Sequence, residues 1–188
     1  MSLISNLTSG DDDLAEAAAN DIAAQGAEAI PALLDLLASP NADSRWWAVR
    51  TLAEISDPQI PPRLRDALSD PDPAVRQCAA LGLSQQPDSE AIPDLIAALN
   101  DDDRLIARLA ADALGAIGED AVPALLDIMQ NGLHPARLEA VRSLAAIGDH
   151  RSIPVLFEAL DEDSALIEYW AQQGLERMGV GMTFFKPG

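Results

Sequence analysis

The chain has 188 residues, which is long enough for one domain with a substantial hydrophobic core. Hydrophobic residues make up 48% of it but aromatic residues only 4%, so small aliphatic side chains dominate and closely packed helices are favoured. The formal charge of −19 repels phosphate groups, which argues against binding to nucleic acid or to an anionic membrane surface.

Cysteine usage and the N-terminal sequence bear on the cellular compartment. Cys78 is the only cysteine, so an internal disulfide is excluded and a reducing compartment is expected. Residues 1–13 are polar and acid-rich, unlike a signal peptide, and no apolar run approaches the length that spans a bilayer. We therefore expect a cytoplasmic protein.

The first predicted elements are a short, irregular helix over 2–8 and a longer helix over 13–25. Prolines then recur at separations of 31, 31, 30 and 31 residues: Pro31, Pro62, Pro93, Pro123 and Pro154. Two residues after each proline lies a leucine: Leu33, Leu64, Leu95, Leu125 and Leu156. A second ladder consists of alanines, each followed four residues later by a leucine: Ala48, Ala79, Ala110, Ala140 and Ala171. This shared register indicates internal repeats.

Each repeat has the pattern of a helical hairpin. Proline is favoured at the start of a helix, so each proline is expected to mark the beginning of the first helix, helix A. An acidic turn follows, whose side chains can cap the longer helix B, which carries the alanine ladder. Gly118, Gly148 and Gly179 lie where helix B is expected to end in a left-handed cap.

The two ladders predict an all-α fold, a right-handed α-solenoid of about six helical hairpins in a single domain. The expected repeats cover approximately residues 1–26, 27–56, 57–87, 88–118, 119–148 and 149–179. The first repeat is shortened. Residues 180–188, with Met182, Phe184 and Phe185, are expected to form a C-terminal cap.

The B helices resemble the HEAT-like repeats of the phycobilisome-lyase (PBS lyase) type. The stretches that carry the resemblance read DPDPAVRQCAALGL at 70–83, ARLAADALGAIG at 107–118 and ARLEAVRSLAAIG at 136–148. The resemblance covers about residues 11–179 and implies a HEAT-like solenoid. Proteins with this repeat include chromophore lyase subunits, phycobilisome degradation factors, iron-dependent hydroxylases and scaffolds, so similarity of fold does not choose among these functions.

The sequence argues against several catalytic functions. The hydroxylase branch binds two irons through His-Glu pairs, whereas His134 and His150 are the only histidines and neither precedes a glutamate. HEAT-like DNA glycosylases need a basic groove, which this acidic chain does not show. No nucleophile–base constellation, phosphate loop or metal-ligand spacing is found, so no catalytic residue, metal or cofactor is expected. The bilin-lyase branch has no short catalytic motif and stays open.

The two positions before each ladder alanine show the clearest departure from the repeat pattern. All three tryptophans and the only tyrosine occupy these positions, as Trp46–Trp47 and Tyr169–Trp170. B helices commonly line the concave face of stacked hairpins, so the aromatic pairs are expected to flank a groove that also holds Arg50 and Arg108. Alternatively, one member of each pair fills space between neighbouring hairpins.

These observations predict a protein-interaction scaffold or adaptor whose concave groove holds a partner protein or peptide. The acidic rim favours a basic or amphipathic partner. The residues expected to contact it are Trp46, Trp47, Arg50, Arg108, Tyr169 and Trp170. The alternative, which the resemblance alone implies, is a subunit of a bilin lyase or a chaperone-like factor for a tetrapyrrole-bearing protein.

Three further residue patterns have structural interpretations. Arg45, Arg76 and Arg137 share one position at the start of helix B and are expected to pair with acidic turn residues of their own or a neighbouring hairpin. Cys78 has no histidine near it in the sequence and is expected to be a small packed residue rather than a nucleophile. Gln86 replaces an isoleucine or methionine of the other repeats, which indicates a bend, a partner contact or tolerated drift.

Overall fold

The computed structural model describes residues 2–180, and within this range the chain is entirely helical. Its α-helices are α1 (Leu3–Leu7), α2 (Asp12–Ala23), α3 (Ile30–Leu37), α4 (Ala42–Ala53), α5 (Ile60–Ala67), α6 (Pro73–Gln85), α7 (Ile92–Ala98), α8 (Arg104–Ile117), α9 (Val122–Asn131), α10 (His134–Ile147), α11 (Ile153–Ala159) and α12 (Ala165–Arg177). Short 3₁₀ helices precede α3, α7, α9 and α11. The predicted cap residues Met182, Phe184 and Phe185 lie outside the described residues.

The chain divides into two compact units, the first ending at Ala91 and the second beginning at Ile92. The first unit contains the hairpins α1–α2, α3–α4 and α5–α6, and the second contains α7–α8, α9–α10 and α11–α12. Within each unit, consecutive B helices contact each other more extensively than consecutive A helices do. The fold is therefore an all-helical α-solenoid, as the repeat pattern predicts, while a single continuous domain remains a prediction.

Both ladders form the core of the hairpins. Every ladder alanine and every leucine that follows a proline by two positions is at most 2% exposed, and so are the leucines four residues after the alanines. In the first repeat, Ala18 and Ile22 of α2 take the same two positions and are equally buried. The shortened first hairpin therefore joins the same apolar core through its B helix.

The helix boundaries agree with the predicted ones except that helix A begins before its proline. Helix A begins one residue before its proline in four repeats, and α5 begins two residues before Pro62, with Pro61 between. Proline fits anywhere in the first turn because the backbone N–H groups there have no intrahelical partner. Gly118, Gly148 and Gly179 all have positive φ. Gly148 has the left-handed conformation predicted for a helix end, whereas the prediction is wrong for Gly118, whose ψ is −134°.

Side-chain caps differ between the two units. In the first unit α2, α4 and α6 are capped by Asp11, Asn41 and Asp72, whose side-chain oxygens accept backbone N–H groups of the first turn. In the second unit only α8 has such a cap among its B helices, from Asp103. The acidic turn before α12 was expected to supply a cap, and this expectation is wrong at Ser164.

Arg45 and Arg137, which lie at the start of helix B in their repeats, each connect their own hairpin to the next one. Arg45 makes two hydrogen bonds to Asp70, at 2.7 and 2.8 Å, and a third to the carbonyl of Ser39. Arg137 pairs in the same way with Glu162 and donates to the carbonyl of Met129. The structural interpretation of these arginines is confirmed, with the neighbouring hairpin supplying the carboxylate. The Arg45 guanidinium lowers the pKa of Asp70.

Gln86 has a structural role at the end of α6. Its side-chain amide donates to the carbonyls of Ala53 and Ile55, at 2.8 and 3.0 Å, where α4 ends. The carbonyl of Ala53 belongs to the last turn of α4, which leaves it without an intrahelical partner, and Ile55 follows just after the helix end. Glutamine at this position therefore ties the second hairpin to the third.

Candidate functional site

The first aromatic pair lies in α4, next to the buried ladder alanine. Trp46 and Trp47 are both half-buried, and their rings meet edge to face with centroids 4.8 Å apart and an interplanar angle of 85°. Adjacent residues of a helix normally point in different directions, so this contact requires both rings to turn toward the same side. The two indoles therefore present one composite aromatic surface.

A cleft of about 740 Å³ opens beside this aromatic pair, entirely within the first unit. It lies at the N-terminal ends of α2, α4 and α6, and both tryptophans line it. The turn between α1 and α2 contributes residues 7–10. The volume is in the range of known ligand pockets, about 300–1,000 Å³.

Five carboxylates line the cleft, and no lysine, arginine or histidine is among its lining residues: Asp12, Asp13, Glu16, Asp43 and Asp72. Two of them are already engaged, because Glu16 accepts a hydrogen bond from Arg50 and Asp72 caps α6. The side chains of Asp12, Asp13 and Asp43 are exposed and make no hydrogen bond or ion pair within residues 2–180. The cleft is therefore both aromatic and strongly negative.

Arg50 does not stand free beside the tryptophans. Its guanidinium binds Glu54 at 2.6 Å and Glu16 at 3.1 Å, so it connects α4 to the preceding B helix. The sequence gives no direct signal for this bond, since Glu16 lies 34 residues away. Direct contact between Arg50 and a partner stays a prediction, and its observed bonds position Glu16 at the edge of the cleft.

The second aromatic pair lies in α12, in the second unit. Tyr169 is 51% exposed, Trp170 is half-buried, and their rings meet at 5.2 Å with an interplanar angle of 75°. A tyrosine ring with half of its surface in water, packed on a tryptophan, is an available contact site of low conformational entropy. This pair repeats the edge-to-face arrangement of Trp46 and Trp47.

Arg108 lies in α8 of the same unit and is exposed. Its guanidinium makes no hydrogen bond or ion pair with the described part of the chain. Its backbone carbonyl accepts a hydrogen bond from Arg142, which also binds Asp112 and thereby fastens α10 to α8. Arg142 is thus the counterpart of Arg50, and binding of a partner by Arg108 stays a prediction.

In the described part of the second unit, three leucines are exposed that the predicted contact residues do not include. Leu105, Leu133 and Leu166 are 50%, 71% and 58% exposed and lie at or near the N-terminal ends of α8, α10 and α12. Leu105 and Leu166 are each five residues before a ladder alanine, where the first unit has Asp13 and Asp43. Alignment of the B helices on the alanine ladder contained this signal.

Cys78 lies inside α6 and is not a reactive thiol. Its side chain is buried, and this burial raises the pKa of the thiol to about 12, against a smaller opposing effect of Arg50. The thiol is therefore protonated at neutral pH, as expected for a packed structural residue.

Within residues 2–180, no cluster of three or more histidine, cysteine or acidic side chains has the arrangement of a metal site. No helix in that range is both long enough and apolar enough to cross a bilayer.

The hairpins and ladders define a helical-repeat protein whose candidate sites are exposed side chains on B helices. The family model for HEAT repeats matches residues 1–68, 30–115, 60–136 and 92–176, which together span most of the chain. The chain belongs to the HEAT-repeat family. The finer assignment to the phycobilisome-lyase type stays a resemblance. A comparison with proteins of curated function finds no match.

Solved structures similar to this chain are also helical-repeat proteins. An engineered protein has 26% identity and a TM-score of 0.56, covering 95% of this chain and 96% of its own. The CpcE–CpcF complex of phycocyanin lyase from Nostoc sp. PCC7120 has 24% identity and a TM-score of 0.61, covering 75% of this chain and 95% of that one. A designed armadillo repeat protein in complex with the peptide (KR)4 has 18% identity and a TM-score of 0.55, covering 94% and 98%.

Proposed function

We propose that this protein is an interaction scaffold that binds a partner protein or peptide through exposed residues of its B helices. The HEAT-repeat fold indicates such a scaffold, because stacked hairpins present a long row of equivalent side chains. The observation that carries the proposal is the placement of all three tryptophans and the single tyrosine on that row. Large amphipathic rings of this kind commonly dominate the binding free energy of an interface.

The first unit contributes Trp46 and Trp47, with Arg50 holding the adjacent Glu16 in place. The tryptophans retain accessible surface although their rings contact each other. This exposure supports a binding role, because accessible indole surface beside Ala48 can pack against a partner.

The second unit contributes Arg108, Tyr169 and Trp170. Exposed leucines at the starts of its B helices add apolar surface to the same set of helices. Exposed apolar side chains with a charged residue among them are typical of protein contact sites. An amphipathic partner segment fits this composition.

A basic partner fits the charge of the whole chain. The formal charge of −19 steers positively charged molecules toward the protein and repels nucleic acid. The designed armadillo repeat protein, which shares the fold, was solved with the peptide (KR)4. Its identity of 18% supports the architecture alone, so the basic character of the partner is argued from the charges of this chain.

The proposal is tested by affinity capture from a lysate of the source organism. Wild type is compared with a Trp46→Ala/Tyr169→Ala double variant and with Phe157→Ala, which removes an exposed aromatic ring from helix A of the last hairpin. We expect a partner that wild type and Phe157→Ala capture and the double variant loses. Equal recovery by all three baits would show that the aromatic B-helix residues are not the binding surface.

A subunit of a bilin lyase is the second candidate. It is supported by the resemblance of the repeats and by the similar fold of the CpcE–CpcF complex, which at 24% identity supports the architecture alone. In this case the exposed aromatic rings would stack on a tetrapyrrole. Mixing the protein with phycocyanobilin tests this candidate, because stacking shifts the visible absorbance. An unchanged spectrum, alone and with a bilin-accepting protein, would reject it.

A further inference from the structure

We infer that the cleft of the first unit binds an arginine side chain of a basic peptide segment, with the guanidinium held between the indoles and the carboxylates. This inference deepens the proposed function, on which it rests, by naming the chemistry of one partner contact. The cleft combines two half-buried tryptophans with five carboxylates and has no basic lining residue.

The charge of the cleft selects a cation. The backbone N–H groups at the starts of α4 and α6 carry partial positive charge, but Asn41 and Asp72 already accept hydrogen bonds from them. Among the carboxylates of the cleft, Arg50 pairs with Glu16, and its other partner, Glu54, lies outside the cleft. The carboxylates of Asp12, Asp13 and Asp43 are left without a partner in the described chain, so a cation entering the cleft gains attraction without breaking an existing ion pair.

The aromatic pair selects guanidinium among cations. Trp46 and Trp47 meet at 85°, so their rings offer surfaces in two perpendicular planes beside the carboxylates. A planar guanidinium can stack on an indole face while its N–H groups bind a carboxylate in two places. A lysine ammonium is a compact, strongly hydrated charge that cannot stack in this way. The cleft therefore favours arginine over lysine.

The second unit lacks this combination. At the positions of Asp13 and Asp43 it has Leu105 and Leu166, and at the position of Trp46 it has Arg108 or Tyr169. An arginine side chain brought to the starts of α8 and α12 would therefore meet an exposed leucine where α2 and α4 offer an unpartnered carboxylate. The inference therefore applies to the first unit alone, and the second unit serves as an internal control.

The test follows the indole N–H signals of the three tryptophans in ¹⁵N–¹H spectra of the full chain. The protein is titrated with three acetylated and amidated peptides: (Gly-Arg)4, (Gly-Lys)4 and (Gly-citrulline)4. Single Trp→Phe variants assign the signals. We expect (Gly-Arg)4 to shift the signals of Trp46 and Trp47 in a saturable way, and to leave that of Trp170 unchanged.

The relative affinities of the peptides carry the specificity. We expect (Gly-Arg)4 to bind about three- to tenfold more tightly than (Gly-Lys)4, because only guanidinium adds stacking to the charge interaction. Citrulline keeps the shape of arginine without its charge, so (Gly-citrulline)4 is expected to lose binding. Equal affinity for the arginine and lysine peptides would overturn the inference, since charge alone would then explain the binding.

Matched variants separate the cleft from the general negative charge. Asp13→Asn/Asp43→Asn removes two unpartnered carboxylates from the cleft, and Asp161→Asn/Asp163→Asn removes two exposed carboxylates from the turn before α12. We expect the first pair to weaken binding of (Gly-Arg)4 about tenfold and the second less than twofold. Equal effects of both pairs, or shifts at Trp170 of the same size, would overturn the inference. If the peptide test fails while capture still depends on Trp46, the scaffold function stands without the arginine contact.

Discussion

The two units share the same buried core positions but differ at the exposed positions beside them, where the first unit has two aspartates and the second has two leucines. In the first unit, the positions five residues before the ladder alanines hold Asp13, Asp43 and Ala74. In the second unit they hold Leu105, Pro135 and Leu166. The ladder alanines beside them are buried in both units. Core packing therefore requires a small residue at the ladder position, whereas the exposed position five residues earlier is free to differ between the units.

The N-terminal ends of the B helices are also more polar in the first unit than in the second. All three B helices of the first unit begin with a side-chain cap, and the carboxylates and amides that provide these caps make this end polar. In the second unit α10 begins at Leu133 without such a cap, and that leucine is 71% exposed. Leu133 neither caps α10 nor joins the core, so the start of this helix exposes an apolar side chain.

The largest loss of stability is expected when a buried leucine that both units share is truncated. Leu64→Ala in the first unit and Leu125→Ala in the second each remove a fully buried leucine at the same repeat position. Each should lower the free energy of unfolding by about 2–5 kcal/mol, because the transfer free energy is lost and a cavity remains. Urea unfolding followed by circular dichroism measures this loss.

The exposed Leu133→Ala is the matched control for these two variants. It should change the free energy of unfolding by less than about 0.5 kcal/mol, because its side chain is mostly in water already. A large loss of stability in only one of the two buried-leucine variants would contradict the equivalence of the core positions in the two units.

A smaller effect is expected for the bond between neighbouring hairpins of the first unit. Arg45→Ala removes two hydrogen bonds from Asp70 and leaves a largely buried carboxylate, which should cost about 1–2 kcal/mol. Arg63→Ala removes an exposed pair with Asp66 and should cost less than about 0.5 kcal/mol. Equal losses in urea unfolding at pH 7 would show that the Asp70 pair does not stabilise the unit.

The same pair predicts a pH dependence. Arg45 lowers the pKa of Asp70 below its ordinary value of 3.8, so its stabilisation is fully present above that value and is lost as the pH falls through the lower pKa of the folded state. The difference in stability between wild type and Arg45→Ala should therefore be constant from pH 7 to about pH 5 and should narrow toward pH 2. A difference that stays constant down to pH 2 would rule out this pairing.

The smallest change in stability is expected for two glycines in the B helices of the second unit. A Cβ atom added at Gly174 of α12 would lie 3.0 Å from the Cα of Ala145, whereas one added at Gly115 of α8 meets nothing within 4 Å. Gly174→Ala should destabilise the chain by about 1 kcal/mol, since overpacking outweighs the gain in helix propensity. Gly115→Ala should stabilise it by about 0.5–1 kcal/mol. Thermal unfolding of the two variants shows whether the signs are opposite.

The sequence predicts the fold well because the ladders record contacts that recur in every repeat. It also places the aromatic pairs on the B helices, since their positions follow directly from the alanine register. It does not predict the cleft, which needs the turn between α1 and α2 beside the first turns of α4 and α6. It likewise does not predict the bond between Arg50 and Glu16, because this bond crosses from one repeat to another.

The most direct test measures the dissociation constant of the captured partner for single variants of the two units. We expect Trp46→Ala and Tyr169→Ala each to weaken binding at least tenfold, corresponding to about 1.4 kcal/mol or more, and Phe157→Ala less than twofold. Such a result would establish the exposed B-helix residues of both units as the binding surface. Unchanged affinity in both Trp46→Ala and Tyr169→Ala would contradict it.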